Sequence, residues 1–222
     1  MRQLAALLWI AVFACPPGLK AGVTRAEAVA IARSFAEHSW QAAARHVRHG
    51  PDGKGVDVQT PDGPTTDGLW TPDSANTGVP YKWGGFDSLA SFEAGLRAGK
   101  AAGDLYSSEK RRLADTAVSS QAVGVDCSGF ISRCWKLRKK YGTVTLGSIC
   151  KRLGTPAELR AGDIMNQAGG HVLLFSHWLD DAKSRALFYE AHPFSKVIAS
   201  EHPVPEMVSG GFVPMLYREI AE

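Results

Sequence analysis

Cysteine is scarce in this chain. There are four, Cys15, Cys127, Cys134 and Cys150, and no two form a Cys-x-x-Cys pair. The seven histidines are scattered, and only His46 and His49 stand close enough to share a helix face. A solvated surface accounts for that pair better than a metal site does, so neither a metal nor any other cofactor is expected. A one-sided charge is also lacking. The formal net charge is +3, and no Lys/Arg cluster is interleaved with aromatics, which excludes a nucleic-acid partner. Repeats and low-complexity tracts are absent. The apolar run from Leu4 to Ala14 is too short to span a bilayer, and Pro16-Pro17-Gly18 breaks any helix just beyond it.

That run, preceded by Met1-Arg2, has the basic and apolar regions of an export signal. It implies a leader over 1–21, cleaved between Ala14 and Ala21, and a periplasmic or extracellular protein. A lipoprotein site at Val12-Phe13-Ala14-Cys15 is the less favoured alternative, because Phe13 fits it poorly; it would place a lipid anchor on Cys15. Without the leader three cysteines remain, and an odd count leaves at least one thiol free. Cys127 and Cys134 on one helix would lie about 10 Å apart, too far for a disulfide, whereas a Cys134–Cys150 bridge stays open.

With 45% hydrophobic and 21% charged residues, the chain has room for one domain plus additions. Thr24-Arg25-Ala26-Glu27 is a capping box, and the Ala-rich segment behind it predicts a helix to about Arg45. Residues 50–80, dense in Gly, Pro, Asp and Thr, read as a long loop pinned by Trp70, Tyr81 and Trp83. Helical periodicity returns over 88–98 and 103–117. After Gly142 the pattern changes to short β-branched and aromatic runs at 164–166, 172–178, 186–191, 197–200 and 212–217, with Asp180-Asp181 closing one hairpin. Helices followed by a meandering antiparallel sheet make the class α+β.

The chain is organised around Gly124-Val125-Asp126-Cys127-Ser128-Gly129-Phe130. Asp126 is a good N-cap, and apolar residues recur at Phe130, Ile131, Cys134 and Leu137. Lys136, Arg138, Lys139 and Lys140 would load the last turns of this helix before Gly142. Cys127 therefore falls in the first turn, where unpaired N–H groups and the positive dipole end favour thiolate over thiol. Such a nucleophile needs a base. Gly169-Gly170-His171-Val172 places His171 at the start of a strand, after a flexible turn. His177 shares its strand face but lies about 20 Å further along, and reads as a packed or surface histidine. Glu190 and His192, on the neighbouring strand, are rival candidates to hold the second ring N–H of His171.

Four pieces in order carry a family resemblance: Pro80-Tyr81-Lys82-Trp83-Gly84-Gly85, Asp126-Cys127-Ser128-Gly129-Phe130, Leu159-Arg160-Ala161-Gly162-Asp163-Ile164 and His171-Val172. Glu190-Ala191 falls where a third polar residue would stand. Across roughly 80–217 the chain resembles the NlpC-type, papain-like cysteine peptidases of bacterial cell walls. The resemblance implies a papain-like core, with N-terminal helices on a small antiparallel sheet. It implies Cys127 as nucleophile, His171 as base and Glu190 as orienting residue, with Tyr81 and the Cys127 N–H at the oxyanion and Ser128 and Asp126 beside the substrate. The substrate class it implies is peptidoglycan stem peptides, cleaved at an amide bond.

The organisation expected is thus a leader over 1–21, a helix and long loop over 22–79, and a catalytic domain over 80–222. One departure is large. Family members join the Tyr-x-x-Gly-Gly piece to the cysteine motif by a short stretch, whereas here residues 86–123 intervene. With Leu89, Phe92, Leu96, Leu105 and Leu113 needing cover, this insert is expected to pack as a helical cap on one rim of the site. Two other functions remain open: acyl or amide transfer on the same Cys–His site, and an inactive envelope-binding module.

Overall fold

The computed structural model describes residues 22–63 and 69–222; the leader read over 1–21, with Cys15, lies outside them. Chain order is α1 (Arg25–Ala36), β1 (Ser39–Gln41), β2 (His49–Pro51), β3 (Asp57–Gln59), β4 (Ala75–Thr77), α2 (Leu89–Arg97), β5 (Ala101–Ala102), α3 (Ser108–Leu113) and β6 (Ala122–Val123). Then come α4 (Cys127–Cys134), β7 (Cys150–Arg152), β8 (Ile164–Asn166), β9 (Val172–Trp178), β10 (Arg185–Ala191), β11 (Val197–Pro203), α5 (Val204–Ser209) and β12 (Val213–Tyr217). Helices and strands occur in similar amounts, and the class is α+β.

The main sheet has six antiparallel strands in the order β11-β10-β9-β8-β12-β7. Val172 and Leu174 of β9 face one core, with Ala28, Ala32 and Phe35 of α1 and Phe130, Ile131 and Cys134 of α4. Leu173 and Phe175 face a second cluster with Phe188, Val204 and Met207. Cover on both faces is why β9 reads as an unbroken apolar run rather than an alternation.

Two helices are shorter than their periodicity predicts. The α1 capping box forms, Thr24 Oγ1 accepting the Glu27 N–H at 3.1 Å, but the helix ends at Ala36, not Arg45. Trp40 instead enters an aromatic cluster, 5.5 Å from Trp70 and 5.4 Å from Phe92 between ring centroids, while β1 pairs with β4. Burying that indole outweighs the helix propensity of an Ala-rich tail. Likewise α4 stops at Cys134, so the basic run does not load its last turns. Trp135 stacks on Tyr217 at 4.8 Å and donates its indole N–H to the Gly162 carbonyl; Lys136 then adopts a left-handed φ of 54°.

Residues 50–80 contain parts of three short strands rather than a plain loop; Trp70 does pin them, donating to the Ala102 carbonyl at 2.9 Å. The insert is half as expected. Its first helix, α2, is capped by Ser88 and packs against Trp40, and none of its residues lines the cleft that holds Cys127. The second starts only at Ser108, because residues 101–104 are extended: β5 pairs with β6, and buried Asp104 accepts the Gln59 N–H and pairs with Lys110. His46 and His49 share no helix face; His46 is buried against the Leu96 carbonyl and His49 lies on β2. Among the described residues no helix is long and apolar enough to cross a membrane.

Candidate active site

Asp126 sets the position of Cys127. Its carboxylate accepts the Gly129 N–H at 2.6 Å and the Ser128 hydroxyl at 3.0 Å, closing the first turn of α4 with Cys127 at its start. Lys140, folding back from beyond the helix, pairs with the other carboxylate oxygen. The backbone N–H groups of Cys127 and Ser128 have no partner among the described residues, as the helix-start geometry leaves them. The turn is pressed against the Gly84-Gly85 loop. A Cβ on Gly129 would sit 1.9 Å from the Gly85 carbonyl oxygen, so only glycine fits. Arg133 fastens the same loop, donating to the Phe86 carbonyl at 2.9 Å with its guanidinium 3.6 Å above the Phe86 ring.

His171 immediately precedes β9, and its Nε2 lies 2.6 Å from Glu190 Oε2 on β10. That leaves Nδ1 free to face Cys127, which lines the same cleft. Burial favours the neutral ring, but Cys127 and the Glu190 carboxylate more than offset it, and the His171 pKa is pushed up to about 10. His171 therefore carries its proton at neutral pH, beside the Cys127 sulfur. Glu190 is 3% exposed. Burial disfavours its charge, yet hydrogen bonds from His171, His202 and Ser200 hold its carboxyl well below the usual carboxylate range.

The sequence reading missed Ser200 and His202. Ser200 donates to Glu190 Oε1 at 2.7 Å and His202 Nε2 lies 3.0 Å from the same oxygen. Register explains the grouping: Ser200 pairs with Phe188 and His202 with Ala186, so both lie on the sheet face that carries Glu190. Period-2 alternation would have found them had the strand been read past 200. His192, the rival third residue, does not reach His171; it sits in the turn after β10, edge-on to Phe194. His177 is exposed at the far end of β9.

Cys127 and His171 open onto a cleft of about 270 Å³. Tyr81 and Trp83 line it rather than pinning the upstream loop, and Tyr106 and Arg111 bring the second half of the insert to its rim, opposite Thr143 and Gly169-Gly170. Tyr81 is 3% exposed; burial pushes its phenol pKa up, and the hydroxyl has no hydrogen-bond partner among the described residues. It is a neutral donor beside the thiol. Asp126 and Ser128 also line the cleft, although the Ser128 hydroxyl is already committed to the cap.

The remaining thiols are unlike Cys127. The three cysteines among the described residues are free, but Cys134 is fully enclosed and Cys150 nearly so; burial raises the Cys134 pKa well above the ordinary thiol value and pushes that of Cys150 up to about 12. No group of three or more His, Cys, Asp or Glu side chains among the described residues is placed to hold a metal ion. The chemistry on offer is that of a cysteine sulfur beside a protonated imidazole, with unpaired N–H and O–H donors around it. No protein-family model, curated protein or solved structure matches the chain.

Proposed function

We propose that the chain is an exported cysteine hydrolase, with a papain-like core, that cleaves amide bonds in peptidoglycan stem peptides. The observation that carries this reading is His171 held between Cys127 and a buried, doubly supported Glu190 at an open cleft. The substrate class rests on the four ordered motifs, and export on the leader read over 1–21.

In the first half-reaction the Cys127 sulfur attacks the scissile carbonyl carbon, and the carbonyl electron pair moves onto oxygen. The Cys127 N–H and the Tyr81 hydroxyl stabilise that oxyanion. As the C–N bond breaks, His171 gives its Nδ1 proton to the leaving amine and a thioester remains on Cys127. Water then attacks the thioester while His171 takes its proton. The acid leaves, and the sulfur departs with the electron pair of the C–S bond, beside the reprotonated His171. Glu190 holds the ring throughout and favours its charged form.

Digestion of purified muropeptides, read by mass spectrometry, tests this. The wild type should give fragment pairs that sum to the substrate plus one water, and Cys127→Ala should give none. Products carrying another acceptor in place of water would make the enzyme a transferase. Intact muropeptides despite a reactive Cys127 would leave a binding module.

A further inference from the structure

We infer that Arg111, on the insert, is the specificity residue of this cleft and binds a free carboxylate on the substrate, away from the scissile carbonyl. This rests on the hydrolase reading above. Three consecutive basic residues of α3 have different fates. Lys110 is buried on Asp104, and Arg112 pairs with Glu109 at 2.5 Å. Arg111 alone makes no side-chain hydrogen bond or ion pair among the described residues, and it alone of the three lines the cleft. The other charged groups there are already engaged: Asp126 caps α4 and pairs with Lys140, and His171 lies between Cys127 and Glu190.

The guanidinium reaches across the rim. Its Nη2 lies 3.9 Å from where a Cβ on Gly169 would stand, two residues before His171. Two residues of chain span at most about 7 Å, so the charge lies within roughly 11 Å of the His171 backbone. The same cleft carries an aromatic wall. Trp83 and Tyr106 are 5.8 Å apart between centroids, Tyr106 and Phe194 6.1 Å, and Phe194 is 55% exposed. The Trp83 indole donates to the Ala114 carbonyl at 3.2 Å, which ties the segment bearing Arg111 to the cleft wall. A flat peptide linkage laid along that wall would bring an anion at its far end to Arg111. In a peptide substrate that anion is a carboxylate, which a planar guanidinium binds with two parallel hydrogen bonds.

The test uses N-iodoacetyl derivatives of glycine, β-alanine and γ-aminobutyric acid, each as the free acid and as its neutral carboxamide. Their reaction with Cys127 in the full chain is followed by peptide mass mapping. At one linker length the wild type should alkylate about tenfold faster with the acid than with the carboxamide, in line with a charge-assisted hydrogen bond at a partly exposed site. The acid-to-amide ratio should fall to near one in Arg111→Gln, drop below one in Arg111→Glu, and recover in part in Arg111→Lys. In the wild type it should also shrink as ionic strength rises from about 0.01 M to about 1 M. A ratio unchanged in Arg111→Gln, or no acid preference at any length in the wild type, overturns the inference while leaving the hydrolase reading standing. A Cys127 inert to acid and amide alike overturns both.

Discussion

Replacing Glu190 with glutamine isolates the charge that supports His171. Glutamine is close to isosteric. Its carbonyl can keep the His171 hydrogen bond while its NH₂ turns toward Ser200 and His202, whose hydroxyl oxygen and neutral ring nitrogen can accept. The perturbation therefore removes a charge and leaves no buried donor stranded. A hydrogen bond to a charged group contributes about 1.5–3 kcal/mol and a neutral one about 0.5–1.5 kcal/mol, so roughly 1–2 kcal/mol of support for the imidazolium is lost. At 1.36 kcal/mol per decade this corresponds to a fall of about one unit in the His171 pKa and about five- to thirtyfold in kcat/KM. The sign follows from the wild type, where the His171 pKa is raised from 6.5 to about 10. The imidazolium is present below that value and lost as pH rises through it, so the alkaline limb of kcat/KM should lie nearer 10 than 6.5. In Glu190→Gln that limb moves to lower pH. The assay is muropeptide turnover across pH 6 to about 10.5, with the rate of Cys127 alkylation as a second readout. A folded Glu190→Gln enzyme whose alkaline limb coincides with that of the wild type would refute the argument that Glu190 charges the imidazole.

His202→Gln should act through the same carboxylate but less strongly, with kcat/KM lowered by about two- to fivefold and the alkaline limb moved slightly, since the glutamine amide can still donate to Glu190 and only part of a charge-assisted bond, roughly 0.5–1 kcal/mol, is lost; an unchanged pH profile would make His202 merely structural. Brief iodoacetamide treatment of the native protein should label Cys127 and spare Cys134 and Cys150, whose pKa values burial raises; peptide mapping that finds equal labelling removes the case for a distinct nucleophile. Tyr81→Phe should lower kcat by about a hundredfold with little change in KM, the low end for an oxyanion donor; a KM effect alone would make the phenol a ground-state contact. Gly129→Ala drives a methyl into the Gly85 carbonyl and should cost about 3 kcal/mol, read as a lower denaturation midpoint; wild-type stability would show that the loop yields freely.

Five of the six main-sheet strands were legible because short β-branched and aromatic runs bounded by turn residues survive in any tertiary setting, as at Val172–Trp178. Cys150–Arg152 was not. It is three residues long, two of them exposed and basic, and pairing with β12 alone makes it a strand. The helix starts were legible through Thr24, Ser88 and Asp126, since capping is local chemistry. The helix ends were not, because Trp40 and Trp135 are drawn away by partners distant in sequence. The same division holds at the site. Cys127, His171 and Glu190 come from local signals at a helix start and two strands, whereas Arg111 and His202 acquire meaning only from what the fold sets opposite them.

Every residue of α4 except Arg133 is buried, whereas five of the six residues of α3 are exposed and only Lys110 is buried. The two walls of one cleft therefore belong to different cooperative units. Amides of α4 should exchange with solvent only through global unfolding, while those around Ser108–Leu113 open in excursions of much lower free energy. On the proposed hydrolase reading this is a division of labour. The wall that holds the nucleophile resists sequence drift, since almost any change there threatens the whole fold. The wall that reads the substrate can be rewritten residue by residue at little risk to stability, so new specificities can arise without disturbing the chemistry.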